Sequence, residues 1–228
     1  QSIYGDWKNS GFDPHQKYPV PEFTPLESTK YFVKESSIAQ TPYMMFHWMG
    51  PDTRYDSAST IAADVFSTIL GLNSSKWQQA LINKGLATYA GVNYQTQKHV
   101  GPIQMYVLPN PLKLKECYDE IMNQIKLWGT DDYYTDEQLA TAKQILQRNF
   151  IRQTEKPSAL PSQLTYHWCS TSYEYFTDYI NNYTKVKRED IKRYVEKYIT
   201  NKNYVAGIII NAEMNKETKA SEFFKPNL

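Results

Sequence analysis

Two rhythms of apolar and polar positions alternate along this chain, and the switches between them mark its elements. Lys30 to Lys34 (KYFVK) and Tyr43 to Met49 (YMMFHWM) read as strands, the second strongly apolar and stopped by Gly50-Pro51. From Tyr55 to Leu70, the residues Ala58, Ile61, Ala62, Val65, Ile69 and Leu70 keep a helical period, which predicts an amphipathic helix closing at Gly71. Ser75 with Gln78 gives a capping-box pattern for a short helix through Leu81. Ala87 to Gln95 and Ile103 to Leu108 return to strand character, and the polar residues between them fit a hairpin.

A helical half follows. Leu112 to Trp128 places Cys117, Ile121, Ile125 and Trp128 on one face. Thr135 with Gln138 opens a helix that reaches Phe150, and Pro157 and Pro161 suit the first turn of a third. Tyr173 to Asn181 and Lys187 to Ile199 read as two more. Tyr204 to Asn211 (YVAGIIIN) is nearly all apolar, the kind of strand buried in the middle of a sheet. Strand pairs separated by helix blocks predict an α+β domain: a mixed, mostly antiparallel sheet covered by helices on one face. No Gly-rich turn joins a strand to a helix, which argues against a dinucleotide-binding fold. No segment repeats at a fixed period.

Composition narrows this further. The chain has 228 residues, 25 Lys+Arg and 24 Asp+Glu, a net charge of +1. That balance offers no basic field for nucleic acid. The longest apolar run, Tyr204 to Ile210, falls far short of the roughly 20 residues of a membrane-spanning helix, so no span is expected. Two cysteines make neither a disulfide framework nor a zinc cage. Residues 1–27 contain Pro14, Pro19, Pro21 and Pro25 without any period and read as an extended linker. Residues 28–212 read as the domain, and residues 213–228 as a polar tail expected to fray. A start at Gln1 without a leader-like segment suggests a piece of a longer protein.

Local chemistry is sparse. His15, His47, His99 and His167 form no pair at helical spacing, so HEXXH and HXXEH are both absent. His47, in an apolar strand, reads as a satisfied core histidine. His167 stands next to Trp168 and Cys169, but adjacent helical residues point apart, which argues against a Cys–His nucleophile. Cys117 on an apolar face reads as a small hydrophobe. The Lys185 to Asp190 charge run reads as a solvated helix start. No residue is assigned a catalytic or metal-binding role.

Several stretches do carry a family resemblance. They are Met49-Gly50-Pro51-Asp52, Ile69-Leu70-Gly71, Ser74-Ser75, Lys84-Gly85-Leu86-Ala87, Lys143 to Phe150, and Val186 to Ile199 ahead of NYVAGIII. In this order, over Pro21 to Ala212, the chain resembles a domain of the pitrilysin/insulinase family of zinc metallopeptidases. The resemblance implies a LuxS/mitochondrial-processing-peptidase-like metallohydrolase fold. It also implies homologous domains paired as a clamshell around a closed chamber. One domain supplies HXXEH and zinc, and its degenerate partner helps hold the peptide. Neither SSKWQQALINKG nor SASTIAADVF contains a ligand pair, so the chain looks like the metal-free partner. By the same resemblance this chain alone is inactive and holds no cofactor. Zinc belongs to an HXXEH-bearing catalytic domain or subunit, the parent protein is a zinc metalloendopeptidase, and peptide is the substrate. A second copy of the chain is a further candidate partner.

In many family members the partner domain contributes an Arg and a Tyr that reach the substrate carbonyl. Here Ile82 takes the Arg place. Thr88 takes the Tyr place without a gap, and Tyr89 takes it if one residue is inserted. Tyr89 and the nearest cation, Lys84, are therefore the candidate substrate-binding residues. Tyr89 also reads as an ordinary strand tyrosine, and Lys poorly replaces a bidentate guanidinium. Two alternatives stand beside this reading: an inactive scaffold subunit of the same fold, and an unrelated peptide- or glycan-binding module. The Tyr- and Asn-rich composition favours a periplasmic or secreted protein over a cytoplasmic one.

Overall fold

The computed structural model describes residues 2–3 and 5–224. A short helix, α1 (Pro14–Lys17), interrupts the otherwise extended and exposed lead-in, capped by Asp13 accepting from the His15 and Gln16 amides. The domain then runs β1 (Lys30–Glu35), β2 (Tyr43–Asp52), α2 (Ser57–Leu70), α3 (Lys76–Gln78), β3 (Ala87–Tyr94) and β4 (Val100–Pro109). It continues with α4 (Leu114–Leu127), α5 (Asp136–Thr154), α6 (Leu160–Ser170), α7 (Tyr173–Thr177), α8 (Tyr179–Lys185), α9 (Arg188–Tyr198) and β5 (Tyr204–Ile210).

The five strands lie in the order β1-β5-β2-β4-β3. β5 pairs parallel with β1 and antiparallel with β2, while β2–β4 and β3–β4 are antiparallel, so the sheet is mixed and mostly antiparallel as expected. Central placement explains why β5 is nearly all apolar. Strict alternation assigns Met44, Phe46, Trp48, Ile103, Met105, Val107, Ala206 and Ile208 to one face, where they are buried. The helices pack on that face. α2 lies against β3, β2, α5, α8 and α9. Trp128 meets Trp77 and Phe66 edge-on at ring-centroid distances of 5.5 and 5.6 Å.

Local signals account for most boundaries. Thr135 and Gln138 form the full reciprocal capping box. At Ser75 only half of it forms: Ser75 caps the Gln78 amide, but the Gln78 side chain turns away to the Leu70 and Ala90 carbonyls. Trp77 also donates to the Ala90 carbonyl, so α3 and the π-turn after it (Gln79–Asn83) shield the free edge of β3.

Four expectations are corrected. β2 does not stop at Gly50-Pro51 but continues to Asp52 through an irregularity in its pairing with β4. The single helix expected over Tyr173 to Asn181 is two helices, broken at Asp178, whose backbone carries ψ near 0°. His47 is not in the core; it stands half-buried on the opposite sheet face, and its Nε2 has no hydrogen-bond partner. The tail after Glu213 does not fray over its described part. Asn211 caps α10 (Ala212–Thr218) by accepting from the Met214 amide and ties it to the Ala39 carbonyl, and α11 (Ala220–Phe223) follows, placing Ala220 and Phe224 in the core. Residues 225–228 of that tail lie outside the described residues.

Candidate functional site

The face of the sheet away from the helices is the candidate site. It is built by the same alternation that builds the core, one residue out of step. β2 presents Tyr43, Met45, His47 and Met49; β4 presents Pro102, Gln104, Tyr106 and Leu108; β5 presents Val205 and Ile209. All are half-buried. The register aligns them into rows across the strands. Phe32, Gly207, Met45, Tyr106 and Gly91 form one row, and Lys30, Val205, His47, Gln104 and Asn93 the next. Among the described residues no helix covers this surface.

Aromatic rings dominate the face. Tyr43 stacks on Tyr106 at 5.7 Å and 20°, and His47 meets the same Tyr106 edge-on at 5.3 Å. Phe32 lies over Gly207 and Tyr89 over Gly91, each ring occupying the space that a side chain on the glycine would need. Burial raises the Tyr43 phenol, reinforced by neighbouring Tyr106 and Tyr89, so it stays neutral and can donate a hydrogen bond. Burial also lowers the His47 imidazole, which is therefore uncharged at neutral pH. At one end of the face, Met49 and Val100 run into a depression of about 350 Å³ closed by Phe23, Pro25 and Leu26 of the lead-in and rimmed by Lys202.

The two candidate residues from the sequence lie on different surfaces. Tyr89 is on the open face, 47% exposed. Lys84 is exposed at the end of the π-turn and lines a shallow depression with Lys115, Glu116, Asp119 and Glu120, at the start of α4 on the helix side. Between Ala87 and Tyr89 the β3–β4 register slips by one residue: Ala87 faces Pro109 and Tyr89 faces Leu108, so Thr88 is the extra residue of a bulge. Both Thr88 and Tyr89 are exposed as a result. Ile82 packs against the core.

Elsewhere the histidines stay isolated. His167 sits among Tyr175, Phe176 and Tyr166, and its Nδ1 contacts the Thr171 hydroxyl at 3.3 Å, while Cys169 is exposed. Among the described residues no three His, Cys, Asp or Glu side chains cluster closely enough to hold a metal ion. No described helix is long and apolar enough to cross a membrane. The sequence alone did not mark Tyr43, Met45 or Tyr106 as candidate site residues. The period-2 signal of Tyr43 and Met45 was present in YMMFHWM but was masked, because both faces of that strand are apolar; Tyr106 lies on a separate strand, β4.

This architecture is shared with zinc proteases and their inactive domains. A protease from Helicobacter pylori superposes with TM-score 0.70 at 16% identity, over 80% of this chain and 45% of that one. The inactive peptidase domain of a candidate zinc protease from Bordetella parapertussis gives 0.68 at 17% identity, over 78% and 94%. The periplasmic protease PqqL from Escherichia coli gives 0.58 at 13%, over 81% and 20%. The family model described as the peptidase M16 inactive domain matches residues 1–146, and the chain belongs to that family. It spans less than half the length of the H. pylori protease. No curated protein matches it.

Proposed function

We propose that this chain is the metal-free half of a two-part zinc peptidase, and that its open sheet face lines the peptide chamber opposite the HXXEH-bearing domain. The observation that carries the reading is the asymmetry of the sheet. One face is sealed by helices, while the other leaves a broad, largely uncharged aromatic surface uncovered, which is costly in water unless another surface or a ligand meets it. Zinc and the hydrolytic water belong to the partner; this chain positions and desolvates the peptide. Tyr89 is the residue offered to the substrate. The Thr88 bulge supports this choice, because one inserted residue is what the family resemblance needs to bring Tyr89 to its tyrosine position. A phenol there can stabilise developing oxyanion charge.

Two placements favour a second reading, a scaffold subunit with no part in catalysis. Ile82, at the place of the family Arg, is aliphatic and packs against the core, and Lys84 lies on the helix side, so neither supplies a cation to the open face. Titrating this chain into the accompanying HXXEH-bearing domain separates the two. The chamber reading expects peptide cleavage to rise to a saturating stoichiometry, with zinc bound by the partner alone. Unchanged cleavage, or stoichiometric zinc on this chain, removes that reading.

A further inference from the structure

The charge pattern of the open face selects its occupant. Across β5, β2, β4 and β3 the outward side chains are apolar, aromatic or amide, and His47 among them is neutral. Among the described residues, the outward positions of the strands themselves carry formal charge only at the β1 edge, from Lys30 and Lys34, which the register places beside Val205 and Ile209; Lys202 stands outside them, on the rim of the depression beyond Met49 and Val100. Neither Lys30 nor Lys34 has an ion-pair partner among the described residues. A charged side chain laid over the middle would lose water and gain no partner. An aromatic or aliphatic one would find the Tyr43–Tyr106 stack and the Met45 side chain.

We propose that the face binds an extended peptide segment that is uncharged and aromatic or aliphatic along its middle and carries a carboxylate at the end lying over Lys30 and Lys34. This rests on the reading of the chain as the peptide-holding partner domain, and it names the substrate class of that site. Five strands about 4.8 Å apart span roughly 19 Å, which an extended peptide crosses in about six residues at ~3.3 Å each. The length of the segment and the position of its acidic end both follow. Lysines on an edge strand also discourage strand addition; that role alone would leave peptide charge preference unchanged when they are replaced.

The test is fluorescence anisotropy on this chain with two labelled eight-residue peptides, both alternating Leu and Tyr. One carries a single Glu near its end and the other a Lys at the same place. The Glu peptide should bind ~3–10-fold tighter at low salt, with the preference shrinking as salt is added. Lys30→Glu with Lys34→Glu should reverse the preference. Tyr106→Ala should weaken both peptides alike, and circular dichroism would check that each variant is folded. Equal binding of the two peptides, no binding of either, tighter binding of the Lys peptide, or a preference that survives the lysine replacements would overturn the proposal. Failure of the partner-domain reading looks different: charge-dependent peptide binding would persist, while addition of the chain would leave cleavage by the HXXEH-bearing domain unchanged.

Discussion

Tyr89 lies across Gly91, two positions along the same strand and therefore on the same side of the sheet. The ring fills the place where a side chain at 91 would stand, so the glycine acts as a seat for the tyrosine. Gly50, also in the sheet, is tight for another reason. A Cβ there would come within 2.5 Å of the Gly101 backbone carbonyl and 2.9 Å of Ile103.

That contrast sets the first prediction. Gly91→Ala should change stability by less than about 1 kcal/mol, because the obstacle is the end of an exposed side chain that can swing away. Gly50→Ala should cost ~1–3 kcal/mol, because backbone has to move. Chemical denaturation of both variants tests the ordering; equal costs would show that the crowding at Gly50 is relieved elsewhere.

Asp64, on α2, accepts a hydrogen bond from Tyr179 of α8 at 2.7 Å, a tie between elements 115 residues apart. Its surroundings contain the hydroxyls of Tyr94, Tyr175 and Tyr194, and among the described residues it makes no ion pair. Burial pushes its carboxyl up to about 7 from an ordinary 3.8. The folded chain then binds the proton more tightly than the unfolded one. The stabilising contribution is complete below pH ~4 and is lost as pH rises towards 7. Asp64→Asn, which keeps an acceptor for Tyr179, should be more stable than the parent at pH 8 by roughly 1–3 kcal/mol, and the gain should shrink by pH 4.5. A gain independent of pH would place the effect elsewhere.

Under α4 a buried network runs through Tyr133. Its hydroxyl donates to Gln124 Oε1 at 2.6 Å and accepts from Trp128 Nε1 at 3.2 Å. Tyr133→Phe removes both bonds and strands a buried acceptor and a buried donor, so it should cost ~1–3 kcal/mol. A near-neutral result in urea unfolding would mean that water replaces the hydroxyl.

The two cysteines should separate by reactivity. Cys117 is fully buried and its thiol is pushed up to about 12 by burial, while Cys169 is exposed. A thiol reagent at pH 8 should therefore modify one equivalent in the native chain and the second only on unfolding. Two fast equivalents would contradict the packing of α4.

The element order and the one-sided helix layer were legible because long periodic segments such as Ala58 to Leu70 carry their own signal. What was lost had tertiary causes. Asp178 breaks a segment whose flanking tyrosines reach different partners, Thr60 for Tyr175 and Asp64 for Tyr179. The polar tail gained structure from Phe224, whose burial against Tyr31, Phe46 and Tyr118 no local pattern announces. The site was half legible. The strands that carry it were visible as Tyr43 to Met49 and Ala87 to Gln95, but only the sheet register shows that Tyr43 and Tyr106 share the face of Tyr89, Gly91 and Asn93.

The central claim is that the open face works on a peptide that another domain cleaves. Its most direct measurement compares the parent chain with Tyr106→Arg as activators of peptide cleavage by the accompanying HXXEH-bearing domain. Circular dichroism and co-sedimentation would establish that both are folded and bind that domain. The parent should raise turnover, and Tyr106→Arg, which plants an unpaired charge in the middle of the face, should abolish most of the rise. Equal stimulation by the two proteins, or none by either, would contradict the account.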